Sequence, residues 1–249
     1  KVMIVGATGN VGTFAAHTIA EIPYVSEILL VGRKGRENLL SGIAQDMKDA
    51  FAACGNYTEL NWTTDISEVA GSDIVIGAAG VARQAGQDRL DLAIGNARIV
   101  ASSSRDIGEH APDAVILMVT NPVDVMTSVA LKYSGMEPSR VFGLGTHLDS
   151  MRLKSLIASF FKVHVSEVHT RIIGEHGDSM VPLWSATTIG GIQISNLPAF
   201  SGLPVSDMVE TVKTSGEQII RNKGSTIFGP GEAIATLVQT VLGNENRIL

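Results

Sequence analysis

The sequence predicts an α/β protein, a doubly wound parallel sheet followed by a second, smaller α+β domain. Three observations carry that expectation. Short, continuously apolar runs alternate with longer amphipathic segments up to residue 144; the first run leads straight into a glycine-rich loop that opens a helix; and the pattern changes after residue 145. Such alternation implies parallel strands joined by helical crossovers. Both faces of that sheet are covered, so its strands need no polar side.

The runs follow one another as "KVMIV" (1–5), "EILLV" (27–31), "DIVIGAA" (73–79), "AVILMV" (114–119) and "RVFGL" (140–144), with helical stretches between most of them. Beyond them a helical period spans roughly 148–161, and "EVHTRII" (167–173) has the composition of a strand. Helical segments near 205–222 and 231–242 flank the glycine-rich "GSTIFGPG" (224–231). This divides the chain into one domain at 1–144 and a second at 145–249, without internal repeats or low-complexity linkers.

With 249 residues and 45% apolar content the chain can bury a sizeable core. Nineteen basic against twenty-five acidic residues leave a net charge of −6, which argues against nucleic acid or an anionic membrane as a partner. An anionic ligand must then find a locally basic pocket. The lone Cys54 cannot form an internal disulfide and suits a reducing compartment, so the cytoplasm is expected. No apolar run approaches the roughly 18 residues of a membrane span, and the N-terminus opens into a strand pattern instead of a leader.

"GATGNVG" (6–12) follows the first strand and opens a helix, the setting in which a glycine pattern becomes informative. Gly6 permits the tight turn, Gly9 lets a pyrophosphate approach the backbone and Gly12 allows close helix packing. Thr8, Asn10 and Val11 complete the same loop. The first domain is therefore expected to be a Rossmann-type dinucleotide-binding domain, the alternative being a glycine turn that binds nothing. After the second strand, where an acid would accept hydrogen bonds from a ribose 2′-hydroxyl, the chain reads "LLVGRKGR" (29–36). Gly32 takes the acid's place, and Arg33, Lys34 and Arg36 follow. A 2′-phosphate meets no repulsion there, and a guanidinium can bind it with two parallel hydrogen bonds, so NADP is favoured over NAD. A solvated basic turn is the bland alternative. Short-chain dehydrogenases and nucleotide-sugar epimerases share such a loop, but their chemistry needs a Tyr followed four residues later by Lys. Here Tyr24, Tyr57 and Tyr133 are followed at that distance by Ile28, Asn61 and Glu137.

"LGTHLDSMR" (144–152) puts Asp149 and Arg152 three apart near the start of a helix, on one face. An ordinary i,i+3 ion pair is one reading. "IIGEHGDSM" (172–180) suggests another, because His176 lies between glycines and acids where a core histidine has no purpose. If Asp149 accepts the proton on one imidazole nitrogen of His176, it fixes the tautomer and favours the imidazolium, and the other nitrogen can face a substrate.

At these residues the chain resembles the lactate/malate dehydrogenase family, and above all its archaeal-type malate dehydrogenases. The match runs in order through "GATGNVG", "GVARQAGQDR" (80–89), "VTNPVD" (119–124), "GTHLDSMR", "IIGEHGDS" and "KGSTIFGPG", and includes Gly-Arg where other members carry an acid. The resemblance implies His176 as general acid/base, Asp149 as its orienting partner and Arg152 as the clamp on the C1 carboxylate of a small dicarboxylate substrate. It implies that Arg89 polarises the carbonyl from a loop at 80–92 to which Gly86 lends flexibility, and that Asn121 bonds near the reacting oxygen and the nicotinamide. Thr226 corresponds to a hydroxyl residue of the pocket wall, and Asn96 and Val119 join the cofactor-binding set. Arg83, six residues before Arg89, falls where members that use malate carry Arg and those that use lactate carry Gln. A second carboxylate enclosed without a cation would be costly, so malate is favoured over lactate. NADP is the expected cofactor with NAD possible, and the assembly a homotetramer or homodimer.

Family members continue into further strands and a final helix, so the resemblance implies a C-terminally incomplete substrate domain in a chain that starts at Lys1 and ends at "NENRIL". His17, His110, His164, His169 and His147 are given structural or solvent-facing roles, and no cluster has zinc spacing. A noncatalytic NADP-binding sensor is the competing reading. It has no need of His176, Asp149, Arg89 and Arg152 together.

Overall fold

The central strands of the main sheet form where an apolar run meets neighbours that can bury both of its faces. The computed structural model describes residues 1–81 and 89–249, and the side chains of all of these except 89–92. Two compact units emerge, one made of residues 1–144 and 227–248, the other of 145–226 with Leu249.

In the first unit β1 (Val2–Val5), β2 (Glu27–Val31), β3 (Glu59–Thr63), β4 (Ile74–Gly77), β5 (Val115–Met118) and β6 (Val141–Gly143) form one parallel sheet in the order β3-β2-β1-β4-β5-β6. The chain winds outward from β1 to β3, then returns to β4 on the other side, which puts the switch in winding direction between β1 and β4. Helices α1 (Asn10–Ala20), α2 (Glu37–Cys54), α3 (Arg89–His110) and α4 (Val123–Ser134) make the crossovers. β1 and β4 are buried at every position, as their unbroken apolar runs require. Met3, Val5, Leu29, Val75, Ile116 and Met118 join Val100 and Ile107 of α3 in one core.

Five of the six strands follow the apolar runs in the sequence; β3 does not. It lies at the sheet edge, where only Leu60 and Thr63 are buried, so "ELNWT" keeps polar residues on its open side and lacks a continuous apolar signature.

In the second unit the elements are α5 (His147–Phe161), β7 (Val168–His169), β8 (Ile172–Ile173), β9 (Val181–Pro182), β10 (Thr188–Ile189), β11 (Ile192–Gln193) and α6 (Val205–Lys223). The single strand expected at "EVHTRII" is divided. Its first half, β7, pairs with β10 and its second half, β8, pairs with β9, both antiparallel. In and out alternation persists across 168–173, but the partner changes at Thr170, whose buried hydroxyl bonds Thr187 Oγ1 at 2.8 Å. A hairpin through Gly190 and Gly191, at φ 57° and 81°, joins β10 to β11, a turn that L side chains rarely adopt. Leu153, Ile157, Val168, Ile172, Met180, Ile189 and Val212 form this unit's own core.

The last helix, α7 (Phe228–Leu242), follows the second unit in the chain but packs with the first. Residues 227–248 group in space with residues 1–144. The cause is packing against α1. The Phe14 ring meets Phe228 edge-on with centroids 5.1 Å apart, Gly231 gives that ring room, Thr18 Oγ1 donates to the Gly231 carbonyl at 3.4 Å, and the Tyr24 hydroxyl donates to Gln239 O at 3.0 Å. No helix among the described residues is long and apolar enough to cross a membrane.

Candidate active site

In the second unit, α5 begins after "GT", and its first turn is stitched to β8 from both sides of one residue. Thr146 Oγ1 donates to the Ile172 carbonyl at 2.6 Å, and the Ile172 N–H donates to Ser150 Oγ at 2.9 Å. With both backbone groups of Ile172 gripped, the segment that follows β8 starts from a fixed place. That segment is "GEHGDS", and it turns through Gly174 at φ 93°. Lys213 Nζ of α6 donates to the Asp178 carbonyl at 2.5 Å, and Ser179 Oγ donates to Glu175 Oε2 at 2.8 Å. Met180 closes the segment as part of the buried core.

Between these constraints His176 meets Asp149. His176 Nδ1 lies 2.6 Å from Asp149 Oδ2, and Arg152 Nη1 donates to the other oxygen, Oδ1, at 3.1 Å. Both readings of the Asp149–Arg152 spacing thus hold at once, since one carboxylate serves the i,i+3 ion pair and the histidine. The Asp149 side chain is 1% exposed, against 17% for Arg152 and 30% for His176. A carboxylate that deep requires charged or hydrogen-bonding partners on both oxygens, and it has them. Its place in the first turn of α5 adds the favourable end of the helix dipole. With an ionised carboxylate as acceptor, Nδ1 carries the proton and donates it, which leaves Nε2 as the basic nitrogen. Among the described residues Arg152 Nη2 has no hydrogen-bond partner, and Gly216 of α6 faces it with only van der Waals room for a Cβ.

The first unit holds the glycine loop. Gly6, at φ 92°, donates its N–H to Val31 O at 2.9 Å, and its carbonyl accepts from Gly9 N at 3.0 Å. A Cβ on Gly6 would come within 2.6 Å of Ala79 N, and one on Gly12 within 2.6 Å of Gly6 O. Gly9 is under no comparable pressure from the chain, its Cβ position being 3.4 Å from Gly6 O. Gly9 and Asn10 are exposed, Thr8 and Val11 half-buried, and Gly9 caps α1 without a side-chain hydrogen bond. The helix therefore presents backbone N–H groups at an open, glycine-lined turn, a cradle that fits a dinucleotide pyrophosphate.

Gly32 continues β2, with its N–H bonded to Thr63 O at 3.1 Å. Arg33, Lys34 and Arg36 are exposed and form no ion pair among the described residues. Two acids lie close by in the chain or in space, and both are engaged. Glu37 Oε1 accepts from Gly35 N at 2.9 Å, which holds its carboxyl below the usual range. Asp65 accepts from Ser67 N and Ser67 Oγ at 3.0 and 2.8 Å, which lowers its carboxyl likewise, with a smaller contribution from Lys34.

Asn96 is 2% exposed and commits its amide to the backbone. Its Oδ1 accepts from Val81 N at 2.8 Å, and its Nδ2 donates to Asn121 O at 2.8 Å. It braces the two segments it joins. Asn121 itself is exposed, and half-buried Val119 bonds Gly77 O through its N–H at 2.9 Å. Thr226 is half-buried between α6 and α7 and hydrogen-bonds none of Asp149, Arg152 and His176. Arg89 opens α3, but its side chain, like Arg83 and Gly86, lies outside the described residues. Thr146, Ser150 and Lys213, which fix the elements around the histidine, carried no signal in the sequence.

Comparison with known proteins agrees with this architecture. Residues 1–143 match the family described as lactate/malate dehydrogenase, NAD binding domain, and residues 146–249 match lactate/malate dehydrogenase, alpha/beta C-terminal domain. The malate dehydrogenase of Methanothermobacter thermautotrophicus is 51% identical, with all of this chain aligned to 78% of that protein. An L-2-hydroxycarboxylate dehydrogenase (NAD(P)(+)) of Methanocaldococcus jannaschii is 49% identical, with all of this chain aligned to 80% of it. Among solved structures, the malate dehydrogenase of Salinibacter ruber superimposes with a TM-score of 0.90 at 34% identity, covering all of this chain and 78% of that one.

Proposed function

Because the chain belongs to the lactate/malate dehydrogenase family, we propose that it interconverts L-malate and oxaloacetate, with NADP(H) preferred over NAD(H) and His176 as the acid/base. The observation that carries the reading is the single buried carboxylate of Asp149, which takes His176 Nδ1 on one oxygen and Arg152 on the other.

Asp149 holds the imidazole in the tautomer whose Nε2 accepts a proton, and its charge stabilises the imidazolium that results. In malate oxidation Nε2 takes the C2 hydroxyl proton as the C2–O bond becomes a carbonyl; in oxaloacetate reduction the same proton returns. The nicotinamide, when bound, supplies the hydride acceptor or donor. Arg152 Nη1 is tied to Asp149, and the rest of its guanidinium is available for a substrate carboxylate, so one residue both braces the base and orients the substrate. Arg89 would polarise the carbonyl and Arg83 would pair the second carboxylate of the dicarboxylate. Asn121 and Thr226 are assigned to the substrate side. Asn96 acts through Asn121, and Val119 joins the cofactor contacts.

For the cofactor, the open turn at Gly9 and Asn10 supports a pyrophosphate at the start of α1. Gly32, with three exposed cations after it and Glu37 and Asp65 both engaged, supports a 2′-phosphate. A cytoplasmic location and a homotetrameric or homodimeric assembly belong to the same proposal. A broader 2-hydroxy acid specificity, including lactate, is the second reading, favoured by the name of the Methanocaldococcus jannaschii relative.

Steady-state rates with oxaloacetate and pyruvate, each against NADPH and NADH, test it. The highest kcat/KM is expected for oxaloacetate with NADPH. Equal rates with pyruvate would favour the second reading, and binding of NADPH without turnover of either acid would favour a sensor.

A further inference from the structure

The glycine at the end of β2 has a neighbour that explains why it is glycine. Gly32 is outside the left-handed region of backbone conformation, so its φ would accept any L residue. Space is what resists one. A Cβ built on Gly32 would lie 2.8 Å from Leu40 Cδ1, 3.1 Å from Cγ and 3.2 Å from Cδ2. Three side-chain carbons of the leucine crowd the point, so a Cβ there requires Leu40 to shift. The backbone of each partner is held, so the Leu40 side chain is what must give. Gly32 is pinned to β3 by its bond to Thr63 O, and Leu40 is 0% exposed, in the first turn of α2, with its N–H bonded to Arg36 O at 3.0 Å.

We propose that Leu40 is a positioning residue for cofactor choice: its side chain fills the volume an acid at position 32 would need, and so keeps a 2′-hydroxyl acceptor out of the turn. The inference rests on the 2′-phosphate reading given above and adds a second determinant to it. An acid introduced at 32 alone must displace a buried leucine or distort the end of β2, and its carboxylate then misses the ribose. Relieving the leucine at the same time lets the acid adopt a normal rotamer against the ribose.

The test is a cycle on the full chain with Gly32→Ala, Gly32→Asp, Leu40→Ala and the two doubles, and Leu40→Val as a milder relief. Two quantities are read: Tm, and the ratio of kcat/KM for NADPH to that for NADH, with each cofactor's Kd from fluorescence titration. Gly32→Ala should lower Tm when Leu40 is intact and leave it unchanged or raise it in the Leu40→Ala background, where the new methyl fills vacated space. Gly32→Asp with Leu40→Ala should move the cofactor ratio toward NAD at least about tenfold further than the two single changes combined. Additive Tm changes, or a Gly32→Asp shift as large with Leu40 as without it, would overturn the proposal. A wild type that favours NADH counts against the 2′-phosphate reading alone, because both couplings are measured relative to the wild type's own preference.

Discussion

Replacing Asp149 by Asn tests the acid/base reading with almost no change of shape. The amide oxygen must face Arg152, which can only donate, so the amide NH2 is forced toward His176 Nδ1. The imidazole then has to accept at Nδ1 and carry its proton on Nε2, the wrong tautomer for taking a proton from malate. A charge-assisted hydrogen bond is worth about 1.5–3 kcal/mol, and breaking a buried ionic contact about 3–5 kcal/mol. Asp149 is 1% exposed, which favours the upper figure, while the 30% exposure of His176 moderates it. A loss of about 4 kcal/mol in the transition state corresponds to roughly a thousandfold in kcat, at about 1.4 kcal/mol per factor of ten. The assay is malate oxidation followed by NADPH absorbance, with cofactor Kd and Tm measured in parallel. A kcat within about fivefold of wild type, at unchanged cofactor affinity, would refute the assignment, because that loss is worth only about 1 kcal/mol.

Three further outcomes are expected. His176→Asn should remove most turnover and leave NADPH binding intact in a fluorescence titration; retained turnover would reject the histidine as the proton carrier. Arg83→Gln should raise kcat/KM for pyruvate relative to oxaloacetate, since the cation matched to the second carboxylate is gone, and an unchanged ratio would undo the malate preference. Glu37→Gln should lower Tm at about neutral pH, with the gap to wild type closing below about pH 4. The sign follows from the lowered carboxyl of Glu37: its bond to Gly35 stabilises the folded chain above the unfolded carboxyl value and is lost as pH falls through the folded one. A gap that persists at low pH would mean that the carboxylate is not what holds the turn.

What the sequence disclosed depended on how many neighbours an element has. β1, β2, β4 and β5 are continuously apolar because the sheet and its helices cover them, and each could be located from its run, as could the edge strand β6, of which only Val141 is buried. β3 hides because half of its environment is solvent; Trp62 is 37% exposed, and Leu60 alone carries the apolar signal. Helix α7 was visible as a helix, but its apolar pattern says that it is buried and not against what. Phe14, far away in the chain, decides that. The histidine and its carboxylate were legible because few arrangements explain a histidine amid glycines. The residues that hold them were not. Thr146, Ser150 and Lys213 look like ordinary helix-surface residues, and all three act on backbone groups whose location only the tertiary fold sets. Gly32 was legible as a missing acid, while its steric cause, Leu40, is an ordinary leucine eight residues on.

The placement of α7 makes the second unit an insertion in the first, entered at Gly145 and left after Thr226. The polypeptide departs from the nucleotide-binding half and then comes home to it. Excising residues 1–144 would therefore not yield a self-sufficient half. The flank of α1 would face water with Phe14, Thr18 and Tyr24 deprived of Phe228, Gly231 and Gln239. Any dissection that keeps this half whole must splice 144 to 227 and discard what lies between.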